Sequence, residues 1–204
     1  MFGPMTTSAS TIRTFIAVNL PPELRGRLAQ FQEQLRQAVP GQGLRWTDPD
    51  QIHLTLRFLG HVPETVLAQV GQALTQACQG TGPFVLEAQG AGAFPDLTRP
   101  RVVWVGLKGE LDTLAQLQAA VLRATSGWGE LEDRPFHPHL TLGRVKTLEG
   151  RLVRSLSAAL HQASHLTFGH WQVQQVELMR SDLSPAGPRY SVLARVVLGS
   201  AQAG

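Results

Sequence analysis

The phrase His-Leu-Thr-Leu occurs twice in this 204-residue chain, as His53 to Leu56 within QIHLTLRFLG and as His139 to Leu142 within FHPHLTLGRV. Histidine changes charge near neutral pH, so one imidazole can accept a proton while a second donates one. That division of labour suits in-line displacement at phosphorus. One imidazole deprotonates the attacking water or hydroxyl, and the other protonates the departing alkoxide. The two must stand on opposite sides of the phosphorus, and so on opposite walls of a groove. Thr55 and Thr141, each two positions further on, can donate to non-bridging phosphate oxygens. Arg144, five residues after His139, is the first candidate cation to hold the anion. An undisturbed strand would turn it away from His139, so its use requires a bend or bulge at Gly143.

Both phrases alternate polar and apolar residues at period two, the pattern of a strand with one buried face. His and Thr share one side and the two Leu share the other. A lone copy would carry little weight, because a strand histidine is usually a surface or hydrogen-bonded residue and strand threonines are commonplace. Here the surroundings repeat too. The apolar run Phe15–Leu20 ends 33 positions before His53, and Val102–Leu107 ends 32 positions before His139. The pattern indicates an internal duplication with the histidines 86 positions apart. Two related lobes then each supply one His-Thr strand, facing each other across a groove in a pseudo-twofold arrangement.

Periodicity and breakers fill in the rest. Strands are expected at Phe15–Leu20, Leu44–Thr47, His53 to about Gly60, Phe84–Ala88, Val102–Leu107, Trp171–Met179 and Arg189–Leu198, besides the second His strand. Helices are expected from Pro22 to about Val39, from Glu64 to about Ala77, over Leu111–Thr125 and over Leu148–Ala163. Leu24, Leu28, Phe31 and Leu35 form the first helix's apolar stripe. Gly90–Pro100, Gly127–Pro135 and the stretch SDLSPAG read as loops. The order β-α-β-α-β, roughly twice, predicts an α+β protein with two sheets and outer helices.

An apolar share of 43% supports a core, and a charged share of 16% argues against a disordered chain. The net charge of +3 and pI near 9.7 permit a phosphate-bearing partner without requiring one. The single cysteine, Cys78, allows no internal disulfide. No stretch reads as a membrane span or a secretory leader. Residues 1–11 read as a loose tail ahead of one domain over residues 12–204, and a cytoplasmic protein is expected.

His137 completes a His-Pro-His sequence, but no further Cys or carboxylate stands at metal-ligand spacing, and a structural or loop role is expected. His61, His161, His165 and His170 carry no motif and are expected at the surface. Trp46, Trp104, Trp128 and Trp171 are expected in the core, while Phe58 and Phe94 are candidates to touch a base. There is no Gly-rich phosphate loop and no paired-carboxylate signature.

The chain resembles the two-histidine (2H) phosphoesterases, and within them the RNA 2′,3′-cyclic phosphodiesterases, also called 2′-5′ RNA ligases. FIAVNLPPEL, RWTDPDQIHLTLRFLG, GAFPDLTRPRVVWVGL, RPFHPHLTLGRV and SDLSPAGPRYSVL carry the resemblance over nearly the whole chain. It implies a bilobal fold with antiparallel sheets lining a central cleft. It also implies hydrolysis of RNA 2′,3′-cyclic phosphate ends to 2′-phosphomonoesters without a metal or other cofactor, with ligation as the reverse direction. His53 is then the proton donor to the leaving 3′ oxygen and His139 the base that activates water; the two sites alone do not tell these roles apart. Thr55 and Thr141 would bind phosphate oxygens, and Arg144 and Tyr190 also match family positions. The partner would be RNA with a cyclic phosphate end, tRNA fragments being candidates, met by a monomer away from membranes. Two alternatives remain: a phosphodiesterase for small cyclic nucleotides or 2′-5′ oligonucleotides, and an RNA-end binding protein without turnover. Histidines on both strands argue against the latter, since binding alone favours Arg or Lys.

Overall fold

The computed structural model describes residues 10–39, 41–130, 135–184 and 187–199. Along the chain these form β1 (Thr11–Asn19), α1 (Pro22–Ala38), β2 (Leu44–Trp46), β3 (His53–Pro63), α2 (Leu67–Cys78), β4 (Phe84–Phe94) and β5 (Val102–Gly109). There follow α3 (Leu111–Ala124), β6 (His139–Val145), α4 (Gly150–Gln162), β7 (Thr167–Val173), β8 (Gln175–Ser184) and β9 (Gly187–Val197). The strand order is β7-β4-β5-β6-β3-β1-β8-β9, every pairing is antiparallel, and β2 adds to β6.

This order is symmetric about its middle. β6 mirrors β3, β5 mirrors β1, β4 mirrors β8 and β7 mirrors β9. Each half of the ladder is one of the two expected sheets. They meet where β3 and β6 share one paired position, Leu54 with Leu140, which joins them into a continuous ladder. Both leucines are fully buried, so the junction is a packed contact as well as a hydrogen-bonded one.

The helices change sides. Pro22 and Glu23 start α1 as a first turn should, and Leu24, Leu28, Phe31, Gln32 and Leu35 form its buried face. That face lies not under its own β1 and β3 but in the other lobe, against β7 and α4, with the Phe31 and Phe168 ring centroids 4.8 Å apart. Conversely α3, which follows β5, packs on β3 and α2. Its buried residues, Leu114, Leu117, Gln118 and Val121, stand 86 positions after Leu28, Phe31, Gln32 and Leu35.

Several element bounds differ from expectation for identifiable reasons. β1 begins at Thr11, so the stretch read as a tail enters the sheet there; residues 1–9 lie outside the described residues. β4 runs on to Phe94, through GAGAF, where a loop was expected. The Trp104 ring lies over Gly92, where a Cβ would collide with it, and over Gly106 on β5. Glycine makes room for the indole here rather than breaking the strand. The stretch expected as one strand, Trp171–Met179, is divided between β7 and β8. The chain crosses from one lobe to the other at Gln174 while Trp171, Val173, Val176 and Leu178 all stay buried, so the apolar pattern shows no break. β8 extends to Ser184, into SDLSPAG. Among the described residues no helix is long and apolar enough to cross a membrane.

Candidate active site

The two His strands bend at the same place. Opposite β1, Ala17 pairs with Thr55 and Ile16 with Arg57, which leaves Leu56 as an extra residue on β3. Opposite β5, Trp104 pairs with Thr141 and Val103 with Gly143, which leaves Leu142 as the extra residue on β6. An inserted residue reverses strand parity. Residues 57 and 143 therefore turn away from the groove, and Phe58 and Arg144 turn into it. The bulge is at Leu142, one residue before the glycine expected to make it. Gly143 instead lets β2 approach, because a Cβ there would stand 3.0 Å from the Arg45 carbonyl oxygen.

Each bulge is held by a buried glutamine from the exchanged helix. Gln32 Nε2 donates to the Leu142 carbonyl at 2.8 Å and to the Thr47 carbonyl at 2.7 Å. Gln118 Nε2 donates to the Leu56 carbonyl at 3.3 Å. Gln32 and Gln118 lie 86 positions apart, as do Leu56 and Leu142, and His53 and His139. Sequence reasoning missed this pair. Its signal was a polar residue at the same point in two apolar stripes of the same offset. Arg57, at the place taken by Gly143 in the sister strand, is 2% exposed. Its guanidinium donates to the Leu122 and Trp128 carbonyls and to Thr125 Oγ1, tying the end of α3 to β3.

Both imidazoles are oriented alike. His53 Nδ1 lies 2.7 Å from the Gln51 carbonyl oxygen, and His139 Nδ1 lies 2.7 Å from that of His137. A carbonyl oxygen only accepts, so each Nδ1 carries hydrogen and each Nε2 is left for chemistry. Ring packing fixes the planes. Phe15 stacks on His53 with centroids 4.8 Å apart, Tyr190 meets His53 edge-on at 5.3 Å, and Phe94 meets His139 edge-on at 5.0 Å. Burial lowers both imidazoles below the usual histidine range, against the raising effect of the backbone carbonyls. The charge of His139 lowers His53 further, and Arg144 and His137 lower His139.

His53, Thr55, His139, Thr141, Arg144 and Tyr190, the six residues singled out from sequence, line one cleft of about 440 Å³. Among the described residues neither threonine hydroxyl has a hydrogen-bond partner. The cleft also takes in Arg13, Phe15, Arg45 and Phe58, and it takes in Trp46, which was expected in the core. Trp46, Trp104 and Trp128 are half-buried, and Trp171 is the buried one of the four. Arg13 was hidden by the expectation of a tail ending at residue 11 and a strand starting at Phe15. His137 contributes its carbonyl, and His61, His161, His165 and His170 are exposed. Among the described residues no three of His, Cys, Asp and Glu are grouped so as to hold a metal ion. The arrangement presents two unsubstituted imidazole nitrogens, two hydroxyls and a guanidinium to one space, a set suited to moving protons around a bound oxyanion.

A duplicated fold enclosing paired His-x-Thr strands defines a phosphoesterase of the two-histidine class. The chain belongs to the LigT-like phosphoesterase family, whose model matches it twice, over residues 18–104 and 105–190. It is 33% identical over 180 residues to the RNA 2′,3′-cyclic phosphodiesterase of Methanothermobacter thermautotrophicus, covering 88% of this chain and 95% of that one. A solved protein of Thermus thermophilus superposes with a TM-score of 0.72 at 33% identity, covering 92% of this chain and 98% of that one. The structure of E. coli LigT complexed with 3′-AMP superposes with a TM-score of 0.74 at 25% identity, covering 94% of this chain and all of that one. The family model matches the chain twice in succession, and each half of the sheet draws strands from both stretches, β4 crossing one way and β8 the other.

Proposed function

We propose that this chain hydrolyses RNA 2′,3′-cyclic phosphate ends to 2′-phosphomonoesters by acid-base catalysis between His53 and His139, without a metal. The observation that carries the reading is the pair of sister imidazoles with matching backbone anchors in one cleft. His139 Nε2 takes a proton from water as the water oxygen bonds to phosphorus. The bond from phosphorus to O3′ breaks, and His53 Nε2 gives its proton to O3′. Thr55, Thr141 and Arg144 hold the non-bridging oxygens as charge builds on them, and Tyr190 binds the substrate beside them.

The assignment of donor and acceptor is the one that the resemblance to the two-histidine phosphoesterases implies. Burial favours the neutral form of both imidazoles, the charge of His139 adds to this at His53, and Arg144 adds to it at His139. A 5′-hydroxyl in place of water would give a 2′-5′ linkage by the same steps. The relatives named for cyclic phosphodiesterase activity support the substrate.

The test is product identification. With an RNA ending in a 2′,3′-cyclic phosphate, the expected product is the 2′-phosphate, formed equally with and without EDTA. A 3′-phosphate, or activity abolished by EDTA, would overturn the mechanism.

A further inference from the structure

Beside the imidazoles the cleft carries more positive charge than one cyclic phosphate needs. Arg45 on β2 stands directly opposite Arg144 on β6 in the antiparallel register, a placement in which like charges repel. Arg45 also reaches toward β9, its Nη2 lying 3.0 Å from where a Cβ on Gly187 would be. From the other wall comes Arg13 on β1, which donates to Ser181 Oγ at 3.0 Å and lies 4.5 Å above the Phe58 ring.

All three arginines line the cleft with Tyr190, and all three act electrostatically on its phenol. Among the described residues none of the three forms an ion pair with a carboxylate. Among the described residues Asp48 is the one acidic residue lining the cleft, and its Oδ1 accepts the Asp50 backbone N–H. A cyclic phosphodiester brings one negative charge. Three guanidiniums against one carboxylate leave the cleft with more positive charge than one cyclic phosphate offsets, and a second anion would balance it.

We propose that Arg13, Arg45 and Tyr190 form a second phosphate subsite, which takes the phosphodiester joining the terminal nucleotide to the rest of an RNA chain. This rests on the proposed function and names its substrate class: an oligonucleotide end rather than a cyclic mononucleotide. Arg144 stands between the two phosphates. Burial raises the Tyr190 phenol above its ordinary range against the opposing arginines, so at neutral pH it is a hydroxyl that can donate.

The experiment compares two dinucleotides with 2′,3′-cyclic ends, one joined by a phosphodiester and the other by an uncharged methylphosphonate. The charged linkage is expected to raise kcat/KM by about 10- to 100-fold, the usual worth of a charge-assisted hydrogen bond. The preference should shrink as salt is raised. In Arg13→Gln combined with Arg45→Gln it should fall toward unity. Equal rates on the two linkages in the unaltered protein, or a preference undiminished in the double variant, would overturn the subsite.

If neither dinucleotide is hydrolysed, the proposed function fails, and the subsite is judged by binding. The probes are then the same two linkages carrying a 2′-phosphate end. Tighter binding of the charged one upholds the subsite, and equal affinity rejects it.

Discussion

Phe58 and Arg144 occupy the same position in the two sister strands, each the second residue beyond a bulged leucine. Both turn into the cleft, yet one is aromatic and the other cationic. The strands are alike through His, Leu, Thr and Leu and diverge from the next residue on. Proton transfer to and from phosphorus has near-mirror demands, which the duplicated part meets. The nucleotide has none of that symmetry, and the divergent part is where the cleft can tell one end of it from the other.

The assignment of donor and acceptor can be tested through the leaving group. An aryl phosphodiester with an acidic phenol departs without help from a proton. On a cyclic phosphate end, His53→Ala and His139→Ala should each lower turnover by about 10²–10⁴. On the activated ester, His53→Ala should lose less than about tenfold, while His139→Ala keeps its full defect. The opposite pattern would exchange the roles, and full turnover in both variants would remove them.

The pH profile follows from burial. Both imidazoles are lowered in the folded protein, so the optimum of kcat/KM, which reports the unliganded enzyme, is expected on the acid side of pH 6.5. Replacing Arg144 with Gln removes a cation that lowers His139. The acid limb should then move to higher pH. A limb that stays in place, or moves down, would show that Arg144 does not act on the base.

Stability should depend on pH in the same region. A histidine lowered by folding is protonated first in the unfolded chain, so its contribution is complete above about pH 6.5 and is lost as pH falls below it. Replacing both His53 and His139 with Asn should flatten the melting temperature between about pH 7.5 and 5.5. An unchanged slope in differential scanning calorimetry would contradict the burial argument.

The glutamines should matter to turnover as well as to folding. Gln32→Leu removes the donor to the Leu142 and Thr47 carbonyls, at a cost of about 1–3 kcal/mol. A fall in Tm of about 3–10 °C is expected for a chain of this size. Turnover should drop at temperatures where the variant is still folded, because the bulge aims Arg144. A variant with wild-type kcat and wild-type Tm would refute this.

The alternating His-Thr strands, the duplication and the apolar helix stripes were legible because each depends on local period. What the stripes pack against was not. Leu28 and Phe31 announce a buried face, but nothing in their spacing says that the face crosses to the other lobe. The inward turn of Arg144 was not legible either, since a one-residue bulge changes parity without changing composition. GAGAF looked like a loop because Gly92 is read as a breaker, when its lack of a side chain serves Trp104, a strand away. Arg13 sits in a stretch with no motif, Arg45 opens the stretch RWTDPDQIHLTLRFLG without a role that its spacing could give it, and only pairing across strands brings them to Tyr190.

The crossing of α1 and α3 between lobes leaves no place where this protein divides into self-sufficient pieces. A fragment ending after β4 would hold α1 with its Leu24, Leu28, Phe31 and Leu35 edge facing water, and β3 without α3 to cover it. Two such fragments could satisfy each other only by clasping, each lending its helix. A half-length chain of this fold would have to live as a reciprocal pair, with its groove on the shared axis. A pair of identical chains would carry one residue type at both places, whereas a single chain with two copies of the strand can set Phe58 on one wall and Arg144 on the other.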